Sequence, residues 1–198
     1  DSEHSAIWQC LVGENFNDIR RIILTGSGGP FRSRDLDTFD DISVKEALKH
    51  PNWDMGEKIS IDSATMMNKC LEVIEAHWLF QLDLKKIDII IHPQSIIHSM
   101  VEFNDGSIKA QMGVPDMKVP IQYALTFPSH SKSPWERLDF LSCRDLTFES
   151  PDYDRFPSLE LAYQALKKGG TASAALNLSN DYSVQNFLEN KIIFTDIY

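Results

Sequence analysis

A β-hairpin signal near the middle of the chain constrains the fold more than any other feature. Asn104-Asp105-Gly106 separates two runs of strand-forming character, 95–103 and 107–112, and this turn sequence is typical of a hairpin. Two short apolar runs, 21–24 and 87–91, predict further buried strands. Because helical segments lie between these strands, the sequence predicts an α+β fold. We expect a mixed sheet with helices on one side, followed by the beginning of a C-terminal helical domain.

Helical patterns account for most of the remaining chain. Ser43 and Glu46 form a capping-box pattern at one helix start, and Gly169-Gly170 is a helix stop. The predicted helices are 5–12, 43–49, 63–81, 117–127, 158–168 and 171–189. We expect 58–61 to be a strand that leads into the long helix. The segment 129–154 is rich in Pro, Ser and Asp and predicts a connection across the surface.

Composition excludes several classes of partner. The 198-residue chain has a net charge of −10 and no basic tract, which argues against a nucleic-acid partner. No apolar run approaches the ~18 residues that span a bilayer, so no membrane association is expected. Three scattered cysteines, Cys10, Cys70 and Cys143, indicate a reducing compartment without a disulfide framework. The chain begins at Asp1 without an initiator Met, and we expect it to be a piece of a longer protein.

The predicted helix over 63–81 has an apolar stripe and a polar face. The stripe consists of Met67, Leu71, Ile74 and Trp78, which recur at the spacing of one helix face. Thr65, Asn68, Lys69 and Glu72 fall on the opposite side. This polar face has two interpretations: a solvated surface with a Lys69–Glu72 pair, or a face that meets an anionic, metal-bound ligand.

The first residues carry two carboxylates. In an extended segment Asp1 and Glu3 would share a face, and both could address one cation. Carboxylate oxygens suit Mg²⁺ or Mn²⁺, and Glu72 is a candidate third ligand. The alternative is a solvated acidic segment without a metal.

A glycine-rich run follows the first predicted strand. In Thr25-Gly26-Ser27-Gly28-Gly29, glycines allow backbone N–H groups to turn inward, and Ser27 adds a hydroxyl donor, which suits a phosphate. The run matches neither a Walker A loop nor a dinucleotide fingerprint, because Pro30 and Phe31 follow. A simple tight turn is the alternative.

The segment 50–56 combines His50 and Trp53 with a proline and a glycine. A loop that closes over a substrate would exclude water and position a reactive group. An ordinary surface loop with Trp53 packed on the domain explains the pattern equally well. His92 and His98 lie on apolar strands, and we expect them to support the structure or the site rather than to bind a ligand.

Taken together, these segments closely resemble the 1-deoxy-D-xylulose 5-phosphate reductoisomerase family, in its bacterial form, along essentially all of the chain. The matching segments are Asp1-Ser2-Glu3-His4, Thr25-Gly26-Ser27-Gly28-Gly29-Pro30-Phe31, His50-Pro51-Asn52-Trp53, 55–59, 62–69 with Leu71-Glu72, Ile91-His92-Pro93-Gln94-Ser95, Ile97-His98-Ser99, Pro115-Asp116-Met117 and Pro151-Asp152-Tyr153-Asp154. Cys70 departs from the pattern, since the family usually has glycine there. Its added bulk raises the possibility of altered packing or oxidation sensitivity. Asn177-Leu178-Ser179-Asn180-Asp181 also departs from the family's usual Asn-Ala-Ala-Asn-Glu.

The resemblance implies an enzyme of non-mevalonate isoprenoid biosynthesis. Such an enzyme rearranges 1-deoxy-D-xylulose 5-phosphate and reduces the product to 2-C-methyl-D-erythritol 4-phosphate with NADPH and Mn²⁺ or Mg²⁺. It also implies a cytoplasmic homodimer whose interface includes the sheet of 97–112. The family's N-terminal NADPH-binding domain would lie outside this chain. We therefore expect a catalytic domain at 1–128, a connecting segment at 129–154, the start of a C-terminal helical domain at 155–198, and no NADPH turnover by the chain alone.

The resemblance also implies roles for individual residues. The metal ligands would be Asp1, Glu3 and Glu72. The substrate-binding residues would be Ser2, Glu3, Ser27, His50, Trp53, Ser63, Asn68, Lys69 and Glu72, of which Ser27, Ser63, Asn68 and Lys69 would hold the phosphate. The catalytic residues would be Glu3, His50, Lys69 and Glu72, and Met55 and Gly56 would lie near the nicotinamide cofactor.

Two other functions are compatible with the residues. A metal-dependent sugar-phosphate isomerase or aldolase would need the metal and phosphate sites but no hydride donor. A non-catalytic dimerisation or ligand-binding module would need only the sheet and its hairpin.

Overall fold

Helices and strands alternate through the part of the chain that the computed structural model describes, residues 1–50, 55–143 and 145–198. The helices are α1 (Ser2–Leu11), α2 (Val44–Ala47), α3 (Glu57–Ala64), α4 (Met67–Phe80), α5 (Lys118–Thr126), α6 (Ser158–Lys168) and α7 (Ala172–Leu188). The strands are β1 (Ile19–Gly26), β2 (Ile87–Ile91), β3 (Ile97–Phe103) and β4 (Ile108–Met112). Contacts divide the chain into a first unit, 1–27 and 85–150, and a second unit, 28–84 and 151–198. The linear domain boundaries given above stay predictions.

The first unit is built on a four-stranded sheet with the order β2-β1-β3-β4. β1 runs parallel to β2, with Leu24 opposite Ile89, and antiparallel to β3, with Ile22 opposite Val101. As an inner strand β1 is buried along most of its length, which explains its continuous apolar run. The predicted α+β fold with a mixed sheet is confirmed.

The predicted hairpin joins β3 to β4. Phe103 N donates to Ser107 O at 2.9 Å and Gly106 N donates to Phe103 O at 3.0 Å. Gly106 has a φ of 86°, which glycine adopts without strain, and the Asp105 carboxylate accepts from Ser107 N at 2.9 Å. Among the described strands, β4 pairs with β3 alone and forms one edge of the sheet.

Helices α1 and α5 and a segment without regular structure complete the first unit. α1 packs on β3 and β4 through Ala6, Ile7 and Leu11, which are buried. Within the described residues, the stretch between α5 and α6 contains no helix and only an isolated bridge from Ile91 to Glu149. His92 reinforces this bridge, because its Nδ1 lies 2.8 Å from Thr147 O. The predicted supporting role of His92 therefore has a physical basis.

The second unit differs from the sequence expectation at one important place. The strand predicted at 58–61 is wrong, since these residues belong to helix α3, and the single long helix predicted from 63 is interrupted between α3 and α4. Met66 adopts a left-handed conformation with φ 60° and ψ 10°. Thr65 favours the interruption because its hydroxyl donates to Ile61 O at 3.0 Å and accepts from Met67 N at 3.3 Å. The short apolar pattern of 58–61 could not distinguish strand from buried helix.

The faces of α4 are also buried differently from the prediction. Met67 and Ile74 of the predicted apolar stripe are buried, but Trp78 is 68% exposed. Lys69 and Glu72 are only 5% and 1% exposed, so the interpretation of a solvated polar face is wrong. The reason is the direct pairing of their charges, which allows burial of groups that are otherwise kept in water.

The C-terminal helices pack into the second unit around aromatic rings. α4 packs on α6 and α6 on α7, and the predicted stop after α6 is confirmed by Gly169 with a φ of 68°. Phe194 is fully buried, with its ring centroid 5.2 Å from that of Phe31 and 5.7 Å from that of Phe187. No helix among the described residues combines the length and apolar character needed to cross a membrane.

We predict that Phe194→Ala destabilises the protein by about 3–5 kcal/mol, because the truncation leaves a cavity among packed rings. Tyr182→Ala is the control, since Tyr182 is largely exposed on α7 and its loss should change stability by less than about 0.5 kcal/mol. Urea unfolding measures both. Similar free energies of unfolding for the two variants would contradict the assigned core.

Candidate active site

A buried pair of opposite charges lies in the first half of α4. Lys69 Nζ donates to Glu72 Oε2 at 2.6 Å, and Asn68 Nδ2 donates to Glu72 Oε1 at 2.6 Å. Both oxygens of the Glu72 carboxylate are therefore held. The i,i+3 and i,i+4 spacings bring the three side chains to one side of the helix. An amide, an ammonium and a carboxylate thus form one ordered polar cluster.

The interruption between α3 and α4 places this cluster at the start of a helix. α4 begins directly after the left-handed Met66, so Asn68 and Lys69 lie in its first turn. Backbone N–H groups at a helix start carry partial positive charge, and the Lys69 ammonium, paired with Glu72, lies beside them. This end of α4 is therefore suited to an anion such as a phosphate.

The glycine-rich run meets the end of α3 through its last glycine. Gly29 has a φ of 68°, and a Cβ at this position would lie 2.6 Å from the backbone oxygen of Ser63. Only glycine permits this approach. Ser63 is half-buried, and Ala64, which follows it, lies two residues before Met66, where the interruption ends. Gly29, Ser63 and the start of α4 are therefore held in one region of the second unit. Ser27 lies in the first unit, half-buried, just after β1.

The acidic N-terminal residues are helical rather than extended. Asp1 is the N-cap of α1, and Ser2 and Glu3 lie in its first turn. The argument that an extended segment places both carboxylates on one face is therefore wrong. Ser2 is buried, and its hydroxyl donates to Glu3 Oε2 at 2.9 Å. The assignment of Asp1 and Glu3 as metal ligands stays a prediction.

His98 lies near Glu3, in keeping with the supporting role predicted for it. It is buried on β3, and burial lowers the pKa of its imidazole, while the negative charge of Glu3 acts in the opposite direction. The ring is therefore neutral near pH 7. Its proximity to Glu3 depends on the packing of α1 on β3, a long-range contact that no local sequence signal reveals.

The segment 50–56 is described at its two ends. His50 is half-buried, and burial lowers the pKa of its imidazole. Met55 is half-buried and Gly56 is the exposed N-cap of α3. Trp53 lies outside the described residues, and the roles assigned to all four stay predictions.

Cys70 faces away from the charged cluster. It is fully buried on α4, close to Ala162 of α6, and burial raises the pKa of its thiol to about 12. Because the thiolate is the reactive form, the thiol is unreactive near neutral pH. Cys70 thus lies on the side of α4 that packs on α6.

The carboxylates match the chemistry of a hard divalent cation. Asp1 and Glu3 belong to the first unit and Glu72 to the second, and all three offer oxygen donors of the kind that Mg²⁺ and Mn²⁺ prefer. Glu72 is deeply buried and both of its carboxylate oxygens accept hydrogen bonds, so the carboxylate is ordered. The chemistry of each carboxylate therefore fits such an ion, and their joint binding of one ion stays a prediction.

Comparison with known proteins identifies the family. A family model described as the 1-deoxy-D-xylulose 5-phosphate reductoisomerase C-terminal domain matches residues 1–80, and another, the DXP reductoisomerase C-terminal domain, matches residues 112–198. The chain belongs to the 1-deoxy-D-xylulose 5-phosphate reductoisomerase family. Curated members from Chloroherpeton thalassium and Ruminiclostridium cellulolyticum are 60% and 58% identical over 197 residues. The chain spans about half the length of these relatives, 51% and 52%.

Solved reductoisomerase structures share the fold. The enzyme from Zymomonas mobilis in complex with NADPH is 52% identical, with a TM-score of 0.92, and the match covers 100% of this chain and 51% of that one. A DOX-P reductoisomerase in complex with NADPH, fosmidomycin and magnesium is 47% identical, with a TM-score of 0.95 and the same coverage.

We predict that Gly29→Ala lowers the stability of the protein, because the new methyl group would collide with the Ser63 carbonyl. Overpacking of this kind costs about 1–3 kcal/mol beyond the strain of a positive φ. Gly170→Ala is the matched control, since Gly170 also has a positive φ, 58°, but its added Cβ would meet nothing within 4 Å. The midpoint of thermal unfolding should fall more for Gly29→Ala than for Gly170→Ala. Equal effects would show that backbone strain alone acts at Gly29.

Proposed function

We propose that the full-length protein containing this chain converts 1-deoxy-D-xylulose 5-phosphate to 2-C-methyl-D-erythritol 4-phosphate, using NADPH and Mg²⁺ or Mn²⁺. The observation that carries the proposal is the buried Asn68–Lys69–Glu72 cluster at the start of α4. Family membership and the ligands named for the solved relatives support it. The chain supplies the metal and substrate half of this chemistry.

Asp1, Glu3 and Glu72 would hold the divalent cation. When bound, the cation acts as a Lewis acid that stabilises negative charge on the substrate's carbonyl and hydroxyl oxygens. Ser2, next to Glu3, would donate a hydrogen bond to one of these oxygens. Glu72 suits its role because Asn68 and Lys69 fix its carboxylate before any ligand arrives, which lowers the entropy lost on binding.

The substrate phosphate would be held by Ser27, Ser63, Asn68 and Lys69. Lys69 suits this role because a buried ammonium has few water molecules to replace when it meets an anion. The start of α4 adds a favourable dipole. Gly29 keeps the glycine-rich run against Ser63, so the position of the Ser63 hydroxyl relative to the start of α4 is fixed.

The segment 50–56 would cover the substrate. His50 has a lowered pKa, so at neutral pH it would serve as a neutral hydrogen-bonding group rather than as a cation. Trp53 would exclude water above the substrate. Met55 and Gly56 would lie against the nicotinamide and orient it for hydride delivery.

Activity of the full-length protein tests the proposal. We expect substrate-dependent oxidation of NADPH that requires Mg²⁺ or Mn²⁺, and a loss of about 100-fold or more in kcat/KM for Glu72→Gln. Glu160→Gln, an exposed glutamate on α6, is the control and should remain fully active. We expect the 198-residue chain alone to oxidise no NADPH. Rearrangement of the substrate without NADPH dependence would favour a sugar-phosphate isomerase or aldolase instead, and full activity of Glu72→Gln would refute the assigned site.

We also infer that the protein is a cytoplasmic homodimer that pairs through the sheet of the first unit. β4 is an edge strand of the sheet formed by the described residues, and Ile108 on it is exposed. Ile108→Lys should weaken dimerisation in sedimentation measurements by placing a charge at the interface. An unchanged dimer in that variant would move the interface elsewhere.

A further inference from the structure

A buried carboxylate connects the substrate-binding region to the C-terminal helix α7. Asp62 lies directly before Ser63 and is only 3% exposed. Its Oδ2 accepts from Lys58 Nζ at 2.5 Å, and its Oδ1 accepts from Asn180 Nδ2 at 2.8 Å. Asn180 is itself only 1% exposed, in the middle of α7. The amide therefore reaches Asp62 from a part of the chain 118 residues away.

The choice of an amide at this place has a physical reason. A buried carboxylate is strongly destabilised unless donors satisfy its oxygens. Lys58 supplies one donor from within α3 and also lies 3.1 Å from Asp181 Oδ1 on α7. Asn180 supplies the other donor without adding a charge that would compete with Lys58. Two consecutive residues of α7 thus bind α3 through a single polar cluster.

A second contact fixes the other end of the same turn. Ser158, fully buried at the start of α6, donates through its hydroxyl to the backbone oxygen of Thr65. Thr65 is the C-cap of α3, where carbonyl groups lose their helical partners. The residues on both sides of Ser63 and Ala64 are therefore tied to the C-terminal helices.

We propose that Asn180 is a positioning residue for substrate binding that acts through Asp62. By holding Asp62, Asn180 fixes the turn of residues 62–66. This turn contains Ser63 and sets the direction of the first turn of α4, where Asn68 and Lys69 lie. The proposal rests on the proposed function, since Ser63, Asn68 and Lys69 are three of the four assigned phosphate ligands. A misplacement of about 1 Å in such ligands changes binding steeply.

The test uses the full-length protein and three substitutions. Asn180→Leu keeps a similar side-chain size but removes the donor, and we expect KM for the sugar phosphate to rise roughly 10-fold, with kcat changed by less than about 3-fold. The dissociation constant for fosmidomycin with Mg²⁺, measured by calorimetry, should rise in parallel. Asn177→Leu, on the exposed side of the same helix, is the control and should leave both quantities unchanged.

Asn180→Asp adds a readout that a general structural role would not give. A second carboxylate beside Asp62 raises the pKa of one member of the pair, and the protonated form can again donate to its neighbour. KM of Asn180→Asp should therefore approach that of the wild type at the same pH as the pH is lowered. KM of Asn180→Leu, relative to the wild type, should not recover as the pH is lowered.

The outcomes separate the two levels of the proposal. Wild-type KM and wild-type fosmidomycin binding in Asn180→Leu would overturn the positioning role. The positioning role would also be overturned if Asn180→Leu lowered kcat and thermal stability as strongly as it raised KM, and if KM of Asn180→Asp did not recover at low pH. If Asn180→Leu does not fold, Asn180→Asp decides alone. A wild-type protein without NADPH oxidation would refute the proposed function instead, and fosmidomycin binding would still report on Asn180.

Discussion

The paired burial of Lys69 and Glu72 is the interaction on which the candidate site depends. On a protein surface such a pair contributes about 0–1 kcal/mol, but leaving one member of a buried pair alone costs about 3–5 kcal/mol. With exposures of 5% and 1%, these groups belong to the second case. The geometry of the helix start is therefore constrained, because any shift of Lys69 relative to Glu72 would expose or orphan a charge. Asn68 removes the remaining freedom by holding the other oxygen of Glu72.

The same logic explains why the helix is interrupted. A continuous helix through 57–80 would place the polar residues around its whole circumference, and no single packing surface could satisfy them all. The left-handed Met66 allows α3 and α4 to take separate directions, so Asp62 meets Asn180 of α7 and Cys70 meets α6. α3 thus makes a polar contact with α7, and α4 packs on α6, so the C-terminal helices support both.

Local sequence signals predicted the regular elements well and the special geometry poorly. The strand at 87–91, the helix at 158–168 and the hairpin at Asn104-Asp105-Gly106 agree with the structure because each is set by neighbouring residues. The interruption at Met66 carries neither glycine nor proline and depends on the Thr65 hydroxyl and on Ser158. The helical start at Asp1 had a readable signal, since aspartate is a favoured N-cap, but the two carboxylates suggested an extended segment instead. Most site residues were predicted from resemblance, and the structure adds the supporting contacts that the resemblance does not describe.

Cys70 shows which parts of the site tolerate change. It stands next to Lys69 in the sequence, yet successive helix residues point about 100° apart, so its side chain lies toward α6 while Lys69 points to Glu72. A residue on the α6 side is constrained by volume, and a small side chain such as that of cysteine can be accommodated by local packing. A residue on the charged side is constrained by hydrogen-bond geometry and by charge, which no substitution of similar size preserves. The site is thus defined by one side of a short helix segment, and its neighbours are free to vary within the limits of the packing against α6.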